Sequence, residues 1–184
     1  MPTAADMRGL GRRLAGLLRA GDLVVLSGPL GAGKTTLVQG IGEGLGVRGP
    51  VTSPTFVIAR VHPAAGGGPD LVHADAYRLG SRAEVDDLDL DADTGRSVTV
   101  VEWGEGLVED LADSHLEVSI AMPVPGDHAG AGTTDGEARD PGPPDGGPPD
   151  AAAPRAVRLV GRGERWEVLT ESARMALADG LDAL

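Results

Sequence analysis

A single lysine, Lys34, sits inside the run Gly28-Pro29-Leu30-Gly31-Ala32-Gly33-Lys34-Thr35-Thr36, and that setting gives it a chemistry. Glycines let the backbone wrap closely, so that successive N–H groups and the start of a following helix converge on an anion. An ammonium at this spacing reaches the terminal phosphates of a nucleotide, and the hydroxyl of Thr35 falls where Mg²⁺ is held. Every other basic side chain, fifteen in all, is arginine, whose planar fork does not replace a compact ammonium on a slender stem. Gly28, Leu30, Gly31, Ala32, Gly33, Lys34, Thr35 and Thr36 are therefore read as a cradle for a magnesium-bound nucleotide.

Such a site needs a further carboxylate for the metal and a group to orient the attacking water. Asp75 follows the apolar run from Leu71 to Ala74, and Glu102 follows Val98-Thr99-Val100-Val101. Both are expected at the carboxyl ends of strands, where open α/β sheets bind ligands. Either acid alone reads equally well as a solvated loop group in a chain with 28 acids. Trp103, beside Glu102, reads as core or rim. His73 reads as a structural hydrogen-bond partner, because no second histidine lies at ligand spacing. Ser53-Pro54-Thr55-Phe56 lies before an expected strand, where nucleotide hydrolases often carry a switch that senses the γ-phosphate, although on composition alone it reads as an ordinary loop entry.

The elements that must position these residues alternate between helix and strand. Met7, Leu10, Leu14, Leu17 and Leu18 recur at helical spacing, with Gly21 as the expected stop. Leu23 to Leu26 form a continuous apolar run suited to a strand buried on both faces. A second helix carries Leu37, Val38, Ile41 and Leu45, and further strands are expected over Thr55 to Val61, Leu71 to Ala74 and Val98 to Val101. Glu105 to Ala112 is expected as a short helix. The pattern predicts an α/β fold of the P-loop NTPase type, a doubly wound, mainly parallel sheet. Leu116 to Ala121 and Ala156 to Val160 alternate as an added hairpin.

Between them, residues 123–154 contain fifteen Pro and Gly in thirty-two, too little apolar surface to offset ordering entropy. The organisation expected is thus a core over residues 1–122, a disordered insertion over 123–154, and a final strand and terminal helix within 155–184.

Composition excludes several classes. No cysteine is present, which removes disulfides, thiolate zinc sites and cysteine nucleophiles. A formal net charge of -12 repels phosphate backbones, so autonomous binding to nucleic acid is not expected. No apolar run is long enough for a membrane span, and a cytoplasmic location is expected.

Taken in order, GPLGAGKTT with the following GLG, SPTF, HADAYRL and VEWGE resemble the TsaE family of bacterial ATPases, which act in making N6-threonylcarbamoyladenosine in tRNA. The resemblance implies an ATPase that is weak alone and works with the TsaB and TsaD proteins, meeting tRNA only through that complex. It implies that Lys34 binds phosphate, that Thr35 and Glu102 hold Mg²⁺, and that Asp75 positions or activates water. It also places Thr55 in the switch loop, and it matches Trp103 to the family's tryptophan beside the acid, with nucleotide-dependent docking as the implied role among the cofactor-binding residues. A GTPase reading fails, because an N-K-x-D base-recognition element cannot exist in a chain without asparagine. A small-molecule kinase and a nucleotide-gated docking module remain as alternatives.

Overall fold

A computed structural model describes residues 1–54, 56–86, 88, 95–122 and 154–167. Thr55, the insertion up to residue 153 and the expected terminal helix lie outside the described residues.

Helix α1 (Ala4–Ala15) begins at a reciprocal cap in which the Thr3 hydroxyl accepts from the Asp6 amide at 3.1 Å and the Asp6 carboxylate accepts from the Thr3 amide at 2.9 Å. It ends at Gly16 and not at Gly21, because the amides of Leu17 and Leu18 close single turns onto Leu14 and Ala15. Strand β1 (Leu23–Ser27) leads through the glycine-rich loop into α2 (Lys34–Leu45). Then come β2 (Ala59–His62), β3 (Asp70–Asp75), α3 (Arg82–Asp86), β4 (Ser97–Glu102), β5 (His115–Ala121), β6 (Ala156–Arg162) and α4 (Glu164–Glu167).

The six strands form one sheet in the order β2-β3-β4-β1-β5-β6. The four central strands run parallel, and the two outer ones pair antiparallel. This is the mainly parallel α/β sheet that the residue pattern predicts, closed on one side by the expected hairpin.

On one face α1 and α2 cover Val24, Leu26, Val98, Val100 and Val118 with Leu14, Leu37 and Ile41. On the other, Leu23, Val25, Val72 and Val101 lie under Val85 of α3 and Val108. Burial on both faces accounts for the unbroken apolar runs of β1 and β4. The two helices approach to backbone contact: a Cβ at Gly40 would stand 2.2 Å from the Arg8 carbonyl oxygen, and one at Gly11 would stand 2.3 Å from that of Leu37. Any larger residue there would push α2, and the loop that starts it, away from α1.

Two further expected elements differ. The strand read over Thr55 to Val61 begins only at Ala59, because the amides of Val57 and Ile58 both donate to the Pro54 carbonyl, at 2.8 and 2.7 Å, and curl the chain into a turn. Glu105 to Ala112 forms no α-helix but a single 3-10 turn at Glu109–Leu111. There the Glu109 carboxylate accepts from the amides of Gly106 and Val108, a local alternative to helical bonding.

Candidate functional site

Register brings the acids together. Asp75 on β3 is the direct partner of Glu102 on β4, and Glu102 is in turn the partner of Leu26 on β1. Side chains two apart share a face, so Leu71, His73 and Asp75 stand beside Val98, Val100 and Glu102 under α1 and α2. The column is apolar at its foot and acidic at the carboxyl end. Beyond β1 the chain turns at Gly28, with φ 137°, where a Cβ would meet the Ile120 carbonyl oxygen at 2.4 Å. Gly31 and Gly33 also have positive φ, and α2 starts directly at Lys34. A glycine-rich loop followed by a helix N-terminus gathers amide donors at the top of the sheet.

Lys34 is almost fully buried. Its ammonium donates to the carbonyl oxygens of Gly28, at 2.8 Å, and Pro29, at 3.1 Å. It also lies 3.8 Å from the centre of the Trp103 ring, a cation–π contact. Burial pushes the Lys34 pKa below the ordinary lysine value, while the charges of Glu102 and Asp75 oppose the shift. Trp103 itself has φ 61°, a left-handed backbone unusual outside glycine. Its amide donates to the Leu26 carbonyl at 2.9 Å, so strand pairing continues into the turn that swings the ring over Lys34. Tyr77 packs against Trp103 in a tilted geometry, its ring centroid 5.3 Å from that of the indole.

The Thr35 hydroxyl donates to Oε1 of Glu102 at 2.8 Å, and Nε2 of His73 lies 2.9 Å from the same oxygen. Asp75 is held at its backbone by the Ile58 carbonyl, 2.8 Å from its amide, and its Oδ1 accepts from the Tyr77 amide at 3.0 Å. A cavity of about 270 Å³ opens among these groups. Among the described residues no cluster of three or more His, Asp or Glu side chains is placed to hold a metal by itself. The donors present, one hydroxyl and two carboxylates, are hard oxygens that suit a cation completing its shell from water and phosphate, as Mg²⁺ does.

Of the residues singled out in the sequence, Leu30, Gly31, Gly33, Lys34, Thr35 and Thr36 line this cavity. Asp75, Glu102 and Trp103 line it too, joined by Ser53. Gly28 contributes its carbonyl to Lys34, and Ala32, fully buried, borders a smaller neighbouring cavity. Thr55 is outside the described residues. His73 is the structural partner expected of it, and that partner is Glu102. The stacking of Tyr77 on Trp103 was not legible, since it depends on a left-handed turn at a non-glycine residue.

The chain matches the family model described as threonylcarbamoyl adenosine biosynthesis protein TsaE over residues 1–125. It is 57% identical, over 161 residues covering 87% of this chain and 93% of the relative, to the tRNA threonylcarbamoyladenosine biosynthesis protein TsaE of Streptomyces coelicolor. The Bacillus subtilis protein of the same name is 37% identical over 116 residues, 62% of this chain and 71% of the relative. The crystal structure of Bacillus subtilis YdiB superposes with a TM-score of 0.62 at 26% identity, covering 95% of this chain and 91% of that one. With the family model spanning most of the chain, and the sheet order and loop geometry in keeping with it, the chain belongs to the TsaE family of tRNA threonylcarbamoyladenosine biosynthesis.

Proposed function

We propose that this chain binds Mg²⁺-ATP in the cavity at the carboxyl end of the sheet and hydrolyses it to sustain turnover of a threonylcarbamoyl transferase formed by TsaB and TsaD. The observation that carries the reading is the convergence of a glycine-turned loop, a helix start and a hydroxyl–carboxylate pair, Thr35 and Glu102, on one cavity. Lys34 exchanges its two carbonyl acceptors for phosphate oxygens, and amides of the loop and of the first turn of α2 bind the remaining charge. Thr35 and Glu102 would hold Mg²⁺, which would supply positive charge against the phosphates. Asp75 orients a water whose oxygen attacks the γ-phosphorus. The bond to the β-phosphate oxygen breaks, ADP leaves, and the water proton passes to Asp75 or to solvent.

Leu30, Phe56 and Tyr77 are 89%, 88% and 66% exposed, and they stand on the cavity rim or on segments bonded to it. Such exposed apolar groups beside the site support a partner that covers it, which also favours the nucleotide-gated docking role as part of the same cycle. tRNA is then reached only through the complex, consistent with the net charge of -12. Among the described residues no helix is long and apolar enough to cross a membrane.

The test is phosphate release by the wild type, Lys34→Ala and Glu102→Ala, each with and without TsaB and TsaD. Slow release alone and faster release with the pair are expected, and each substitution should lower the rate by on the order of 10²-fold or more. Unchanged release from Lys34→Ala would overturn the assignment. Transfer of the phosphoryl group to a small metabolite in place of water would make the protein a kinase.

A further inference from the structure

His73 is fully buried, and its only polar contact among the described residues is to Glu102. Nε2 lies 2.9 Å from Oε1, whereas Nδ1 meets no partner. A carboxylate oxygen accepts, so Nε2 carries a hydrogen. An imidazole buried with one nitrogen unsatisfied is a poor filler for a site that Leu or Val would occupy without penalty. On its face it stands between Val100 of β4 and Arg60 of β2, its two register partners, with Leu71 one step below.

Its position in the strand explains the contact. His73 lies two residues before Asp75, hence on the same face, and one step below the Asp75–Glu102 pair. From there it reaches the oxygen that also receives the Thr35 hydroxyl. Two donors on Oε1 fix the carboxylate about its last torsion, which is otherwise broad. Both bonds fall on Oε1, and Glu102 lines the cavity.

We infer that His73 is a positioning residue for the metal side of the site: it pins Oε1 of Glu102 so that Oε2 is presented to the cation or to its bound water. The inference rests on the magnesium-nucleotide reading of the cavity and deepens it. Hydrogen-bond partners behind a metal-ligating side chain set its orientation, and losing one lowers metal affinity by about 10- to 100-fold. His73 is not among the residues that line the cavity, and its bond is to Glu102, so it acts through that carboxylate.

Full-chain protein saturated with ADP is titrated with Mn²⁺, and free Mn²⁺ is read by electron paramagnetic resonance. His73→Leu is expected to weaken Mn²⁺ uptake by about 10- to 100-fold, while ADP affinity in EDTA stays near that of the wild type. His73→Gln, whose amide N–H reaches the place of Nε2, is expected to restore Mn²⁺ uptake. His73→Asn, one methylene shorter, is expected to fall with His73→Leu. Should His73→Leu fail to fold by circular dichroism, the Gln and Asn variants decide. Equal Mn²⁺ affinity in those two variants, or wild-type affinity in His73→Leu, would overturn the role of His73. ADP binding by the wild type with no Mn²⁺ uptake would overturn the metal site as a whole, and no ADP binding would overturn the nucleotide reading beneath it.

Discussion

Gly28 and Gly31 sit three residues apart in the same loop, yet replacing each by alanine should have different consequences. At Gly28 a Cβ would lie 2.4 Å from the carbonyl oxygen of Ile120, a full ångström inside the 3.4 Å at which ordinary contact begins. That oxygen belongs to β5, a neighbour of β1 in the sheet, so relief requires one strand to move. Overpacking of this kind costs about 1–3 kcal/mol. The φ of 137° adds about 1–3 kcal/mol, because side chains are nearly excluded there. At Gly31, with φ 78°, a Cβ meets nothing within 4 Å, so only the left-handed backbone penalty of about 1–2 kcal/mol remains.

Urea unfolding followed by far-ultraviolet circular dichroism separates the two. With a slope of about 2 kcal/mol per molar urea, Gly28→Ala should lose about 1–3 M of midpoint and Gly31→Ala about 0.5–1 M. Equal losses, or a neutral Gly28→Ala, would refute the argument from close approach. Because Gly31→Ala keeps the fold, its uptake of Mg²⁺-ADP reports on the loop alone.

Arg165 of α4 donates to both oxygens of buried Asp22, at 3.1 and 3.0 Å, and to the Leu17 carbonyl at 2.8 Å. Arg165→Ala leaves that carboxylate without its counter-charge and should cost about 3–5 kcal/mol, read as a loss of urea midpoint. Since Lys34 is the only lysine, ¹³C-methylation labels it and the N-terminus alone, and its resonance should titrate below the ordinary value of 10.5. In the window between the folded and unfolded values the folded chain binds fewer protons, so this group adds stability as pH rises. A hydrogen bond from Arg162 holds the Glu117 carboxyl below the usual 4.5. That stability is present above pH 4.5 and lost as pH falls through the lower folded value, and the acid limb of an unfolding profile should flatten in Arg162→Ala.

The phosphate loop and its flanking elements were legible because a continuous apolar run, a glycine string and a helical repeat follow one another without a gap. The strands carrying Asp75 and Glu102 were equally plain, but their adjacency was not. It depends on β4 lying between β3 and β1, a matter of tertiary packing that no local pattern encodes. Ile58 shows a local rule overruled: a β-branched residue after an apolar pair reads as strand, yet its amide bonds to Pro54 and its φ is 68°. The first helix was overextended because Leu18 belongs to the core while lying past the helix end. Burial and helicity share a period, and periodicity alone cannot part them. Arg165 gave no signal at all, since its partner lies 143 residues away.

The bond between the Ile58 carbonyl and the Asp75 amide ties the segment carrying Phe56 to the end of β3. Phe56 protrudes almost wholly into solvent, two residues from that carbonyl, and the acid at the other end of the bond lines the cavity. That one bond joins the most exposed aromatic of the chain, by way of its own strand-entry segment, to the backbone of an acid inside the cavity.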